Sequence, residues 1–267
     1  MTQRTLVRDP CIAVETAWAL DARNPFSDDP KVKALVSTLV EHRMLLQAFA
    51  MFVVSSGKRC GYGHSDIGDV KWRLLRIPNV PSRIRNSLGH LLSGLSDVYE
   101  KHYLGGNQRE KSRLSELFSS AICEAVAVVL LEKCKQNVDD ILRDAHFSLD
   151  GDVTAKNIDI VWLQDQLHAL EMYECKLHPS WLLDPYIKHN WNGHELAWRK
   201  SKLGVMLEYG GLLVKFKWKV RLFLVTLYSR EFVSTYCTNN GQPPEELEIC
   251  PLESLHIPFP PEALDVG

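Results

Sequence analysis

The chain has 267 residues, 45% of them apolar and 24% charged, with a formal net charge of −2. A sizeable core can form, which excludes a disordered polymer. The near-neutral charge neither favours nor excludes nucleic acid, so local charge must decide. The seven cysteines follow no regular spacing. A chain of this length does not need disulfides, so a reducing compartment is expected. The opening MTQRTLVRDPC lacks the apolar core of a signal peptide. The run MLLQAFAMFVV is too short to span a bilayer and carries Gln47. The expectation is a cytoplasmic protein with no membrane partner.

In chain order, KVKALVSTLVEHRMLLQAFAMFVV (31–54) predicts a helix with a broad apolar face. SSGKRCGYGHSDIGD (55–69) predicts a loop and lacks the first glycine of a P-loop. A helix over 83–103 and a connection at GGNQREKSR follow. SRLSELFSSAICEAVAVVLLEKCK (112–135) predicts a further helix, and NVDDILRDAHFSL (137–149) a strand. Two strands are expected at 158–163 and 168–177, a helix at 195–210, and a long or bent strand at 214–229. From Asn239 onward the chain is acidic and proline-rich, with no Lys or Arg, and predicts an irregular tail. The implied class is α/β. A helical N-terminal region (1–105) precedes a core (106–238) with a mixed central sheet flanked by helices, then the tail (239–267).

The stretch NIDIVWLQDQLHALEMYECKL (157–177) places charge where strands usually hold Val, Ile and Leu. Strand side chains alternate, so Leu170, Met172, Glu174 and Lys176 share a face. A turn at Gln164-Asp165-Gln166 would make an antiparallel hairpin and bring Asp159 close to Glu174. Two adjacent carboxylates repel unless a cation lies between them. Oxygen ligands of this kind suit Mg²⁺ or Mn²⁺. A lysine beside them can orient a water and stabilise negative charge. In the preceding helix, Glu124 is the one formally charged residue of AICEAVAVVLL, and no lysine stands at i±3 or i±4.

This set of residues resembles the PD-(D/E)xK nuclease superfamily, whose core order is helix, three strands, helix, strand. The family pattern is a helix glutamate, an aspartate at the second strand, then (D/E)-x-K on the third. Glu124, Asp159 and Glu174-Cys175-Lys176 match it within about residues 112–229. Ile158 stands where the family commonly has proline. The resemblance implies a restriction-endonuclease-like core. Asp159, Glu174 and the backbone carbonyl of Cys175 would hold Mg²⁺ or Mn²⁺, with Glu124 joining directly or through a water. Lys176 would position the attacking water for phosphodiester hydrolysis. It further implies nucleic acid as partner, DNA ahead of RNA, and a place in a restriction, repair or phage-defence system, with a protein partner or a homodimer. The alternative is a non-catalytic nucleic-acid-binding or regulatory subunit that keeps the fold.

Two other D-x-K triplets, Asp29-Pro30-Lys31 and Asp69-Val70-Lys71, lack a preceding strand acid. His178, His189 and His194 fit no zinc spacing. Cys175 and Glu171 face away from Glu174, with Cys175 in the core and Glu171 expected in solvent. KFKWKVR (215–221) read as a strand puts Lys215, Lys217, Lys219 and Arg221 on one face. With Lys202 in the preceding helix, those lysines are the candidate phosphate-binding surface.

Overall fold

A computed structural model describes residues 3–16, 30–42, 45–46, 75–76, 78, 80–103, 121–129, 131–132, 141–176, 182–183, 186, 201–226, 228 and 230–251. The predicted loop 55–69, the connection near 104–112, residues 195–200 of the predicted helix, His178, His189, His194 and the tail beyond 251 lie outside them.

The hairpin that carries the charged residues forms as its sequence dictates. IDIVWLQ gives β5 (Ile158–Gln164) and ALEMYEC gives β6 (Ala169–Cys175), both rich in residues that suit a buried pleated surface. The turn is a short 3₁₀ segment, Asp165–Leu167, closed by His168 in the left-handed region at φ 45°, whose N–H donates to Asp165 O at 3.1 Å. Antiparallel pairs run from Gln164↔Ala169 out to Ile160↔Tyr173. One step further in that register sets Asp159 against Glu174.

Around the hairpin stands an eight-stranded mixed sheet, ordered β1-β2-β3-β5-β6-β7-β8, with β4 on the side of β3. Its other strands are β1 (Gln3–Val7), β2 (Ile12–Thr16), β3 (Ile141–Leu149), β4 (Asp152–Val153), β7 (Lys219–Thr226) and β8 (Leu247–Pro251). Neighbours from β1 to β6 are antiparallel, while β6–β7 and β7–β8 are parallel. Parallel neighbours need a crossover. Among the described residues, α3 (Lys202–Lys215) lies in the first crossover and α4 (Arg230–Asn240) in the second.

Ser201 caps α3 by accepting the Gly204 N–H at 3.2 Å, and Leu203, Met206, Tyr209 and Leu213 are buried. Gly210 permits close approach to the sheet, because a Cβ there would meet Leu222 at 3.4 Å. Beyond Lys215 the chain turns at Lys217, φ 65°, with the N–H groups of Lys217 and Trp218 returning to the carbonyls of Val214 and Leu213. Trp218 stacks on His168, ring centres 5.4 Å apart, which fastens the start of β7 to the hairpin turn.

The chain divides into two compact units. One comprises residues 1–21 and 135–254 and holds the whole sheet with α3 and α4. The other comprises 22–134 and 255–267. It holds α1 (Pro30–Glu41), α2 (Ser82–Tyr103) and a helical stretch at 121–129. In this second unit α1 buries Val32, Leu35, Val36, Leu39 and Val40, and Lys31 Nζ donates to Gly94 O at 3.2 Å.

The α/β class with a mixed sheet is the observed one. Three expectations are corrected. Residues 3–7 and 12–16 are strands, not part of a helical N-terminal region, because β2 finds its partner in β3, more than a hundred residues away. The expected strand 214–229 is shorter, β7, since Lys215 still belongs to α3 and Lys217 turns the chain. The expected irregular tail contains β8, which pairs with β7 from Leu222↔Leu247 to Thr226↔Pro251.

Candidate active site

Asp159 is the second residue of β5 and Glu174 the penultimate residue of β6, so the hairpin register brings their carboxylates together. The Asp159 side chain is 5% exposed and the Glu174 side chain 0%. The backbone N–H of Cys175 donates to Asp159 Oδ2 at 2.8 Å, and the Asp159 N–H reaches Glu174 Oε2 at 3.4 Å. Each acid is thereby tied to the other's strand. Asp144, at φ 50°, lies across from Asp159 on β3, between the pairs Arg143↔Ile160 and Ala145↔Ile158, and accepts from Asn157 Nδ2 at 2.8 Å.

The cations between the acids are lysines. Lys176 follows β6 directly and is held by its N–H on Val225 O at 2.9 Å. Its ammonium lies 2.5 Å from Glu174 Oε1, 3.6 Å from Asp159 Oδ2 and 3.2 Å from Cys175 O. Lys202, the first residue after the Ser201 cap of α3, places its ammonium 2.5 Å from Asp159 Oδ1 and 2.7 Å from Glu174 Oε1. Two carboxylates and two ammoniums form a nearly enclosed neutral cage.

Burial pushes the Asp159 carboxyl up, but Lys176, Lys202 and the Cys175 N–H outweigh it and hold it below the ordinary range. Burial, and then the Asp159 charge, push Glu174 up against the pull of the two lysines. For Lys176 and Lys202, burial favours the neutral amine, yet Glu174 and Asp159 more than offset it and keep both charged. Glu174 Oε1 is shared by both ammoniums, at 2.5 and 2.7 Å. Asp159, Glu174 and the Cys175 carbonyl are hard oxygen donors of the kind Mg²⁺ takes while keeping several waters. Among the described residues no three His, Cys, Asp or Glu side chains converge. A cation here would therefore rest on two carboxylates, a carbonyl and water.

The structure brings together Asp159, Glu174, Cys175 and Lys176 as expected from the sequence, and adds Lys202, expected on a phosphate-binding surface. The sequence carried no signal for Lys202 in the site, because the helix expected over 195–210 put it mid-helix, whereas the structure starts α3 there. Glu124 is half-buried in the helical stretch 121–129, within the second unit. Lys215, Lys217 and Lys219 are exposed, but they end α3, form the turn and open β7, so they do not share one strand face. Lys219 pairs with Ala169 whereas Glu174 pairs with Leu224. At ~3.3 Å per residue that sets the basic turn about 16 Å along the strand from Glu174.

Glu171 is not in solvent. It is buried, hydrogen-bonded by the Tyr173 hydroxyl and approached by Arg221 Nη1 at 3.4 Å. Arg221 also grips Glu248 through two 3.0 Å bonds, and Tyr173 stacks on Phe223. This network staples β6, β7 and β8 together.

No protein-family model matches the chain, and no curated protein matches it. A solved structure similar to it is protein VC1899 from Vibrio cholerae, at 13% identity and a TM-score of 0.35. That likeness covers 91% of this chain and 56% of the other, so the chain spans little more than half its length. Among the described residues no helix is long and apolar enough to cross a membrane.

Proposed function

We propose that the chain is a metal-dependent nuclease of the PD-(D/E)xK type, hydrolysing phosphodiester bonds with DNA as the preferred substrate. One observation carries the reading. Asp159 and Glu174 face each other on adjacent strands, with the Cys175 carbonyl and the Lys176 ammonium at the same point. Asp159, Glu174 and Cys175 O would hold Mg²⁺ or Mn²⁺, which supplies Lewis acidity toward a phosphoryl oxygen and acidifies a bound water. Lys176, kept charged by the two acids, orients the attacking water and stabilises charge growing on the phosphate. The low solvent exposure around the acids strengthens each of these electrostatic effects. Restriction, repair or phage defence is the setting such chemistry serves, with a protein partner or a second copy completing a double-strand cut.

One observation favours a second reading, a binding or regulatory subunit that keeps the fold without catalysis. The acids are already neutralised by Lys176 and Lys202, as in a purely structural ion cage. Incubating the full chain with plasmid, single-stranded DNA and RNA, each with Mg²⁺, Mn²⁺ or chelator, separates the two. Metal-dependent cleavage is expected. Binding without cleavage of any of the three under every condition favours the regulatory subunit.

A further inference from the structure

Lys202 has a position that hydrolysis by Asp159, Glu174 and Lys176 does not require. Its ammonium bridges one oxygen of each acid, at 2.5 and 2.7 Å, which is where a divalent cation shared by both would sit. Lys176 differs. It is borne by the β6 strand end, and its ammonium also rests on the Cys175 carbonyl. Lys202 is anchored only through the start of α3, and among the described residues its ammonium meets the two acids alone.

From these contacts we infer that Lys202 is an exchangeable internal cation: a divalent metal takes its place between Asp159 and Glu174 and releases its ammonium toward the phosphodiester. The inference rests on the metal-site reading above and deepens it. The charge count supports it. The cage is neutral with both lysines in place, so a divalent ion added to it would leave two positive charges in excess beside acids that are almost wholly buried. Excess charge there is costly. Moving Lys202 out removes one charge from between the acids, and one phosphodiester anion balances the other.

The geometry gives the released group somewhere to act. Lys202 is the first residue of α3 after its cap, where the helix dipole disfavours an ammonium and favours an anion. In the cage, Asp159 and Glu174 offset that penalty. Once freed, the ammonium and the helix start both face the arriving phosphate. Glu174 Oε1 is shared by both ammoniums, at 2.5 and 2.7 Å, and the exchange relieves that crowding by removing one of them. The metal-free protein thus keeps its site folded and neutral, and the metal prepares both its own coordination and a phosphate contact.

Amine-selective acylation of the wild-type full chain, read residue by residue by mass spectrometry with and without Mg²⁺, tests the exchange directly. Acylation of Lys202 is expected to rise several-fold with Mg²⁺, while exposed Lys215, Lys217 and Lys219 stay unchanged as internal controls. Calorimetry with Mn²⁺ gives the reciprocal reading. Lys202→Met, freed of the competitor, is expected to bind Mn²⁺ at least about tenfold more tightly than wild type. If Lys202→Met does not fold, the labelling of the wild-type chain decides alone. Unchanged labelling of Lys202 in a chain that calorimetry shows to bind Mn²⁺ overturns the exchange and leaves the metal site standing. A wild-type chain that binds neither Mn²⁺ nor Mg²⁺ overturns both.

Discussion

Asp159 accepts the backbone N–H of Cys175 at 2.8 Å, so the first acid of the site is latched to the strand that carries the second acid and its lysine. The same carboxylate faces Lys202 through its other oxygen. Asp159 is therefore a structural bolt as well as a candidate metal ligand, and its removal has two separable consequences.

Asp159→Asn keeps an acceptor for the Cys175 N–H but leaves the two lysines facing Glu174 alone. From the sequence, losing one of two repelling acids should leave the melt unchanged or raised. The lysine cage inverts that expectation. Urea unfolding without metal should show a loss of about 3–5 kcal/mol, the usual cost of breaking a buried ion pair. Mn²⁺ binding should vanish in the same variant. An unchanged or raised stability would mean that the lysines do not hold the acids.

The pH dependence of stability follows from the two acids being pushed apart. Asp159 is depressed, so its contribution is present above the ordinary Asp value and is lost as pH falls through its lower folded value. Glu174 is raised, so its contribution is fully present below the ordinary Glu value and is lost as pH rises through the folded one. Metal-free wild type should thus lose melting temperature as pH climbs just above the ordinary Glu range. Glu174→Gln should lack that step. A wild-type melt that rises through the same window would show Glu174 to be depressed like Asp159.

The hairpin was legible because both of its strands are apolar runs whose register follows from the turn between them, and Asp159 and Glu174 came with it. Lys202 was not, because the partnership of residues 43 positions apart depends on where α3 docks. The strands β1, β2 and β8 were hidden for a related reason. Five-residue segments such as IAVET and LEICP carry little periodicity, and their neighbours in the sheet make them strands. The basic segment misled because Lys215, Lys217 and Lys219 alternate as a strand would, while the apolar spacing of the residues before them continues α3 to Lys215.

That basic turn gives a prediction of its own. Changing Lys215, Lys217 and Lys219 together to Gln should lower the log–log salt slope of DNA binding by about 0.7–0.9 per lost phosphate contact. The loss should be equal for all sequences, since phosphate contacts carry no base information. Because the turn lies about 16 Å along the strand from Glu174, the single-turnover cleavage rate at saturating protein should not change. A wild-type slope would leave these lysines as the solvated end of α3.

If the cage is a hydrolytic metal site, Lys176 is the residue whose loss separates metal binding from cleavage. Lys176→Met should be measured for single-turnover cleavage of a labelled DNA duplex in Mn²⁺ and, on the same preparation, for Mn²⁺ binding. Wild type is expected to cleave only with metal, and Lys176→Met to keep metal binding with cleavage lowered by about 10²-fold or more, as when a group that stabilises the transition state is removed. Cleavage by Lys176→Met at the wild-type rate, or no metal-dependent cleavage by wild type, would contradict a hydrolytic metal site.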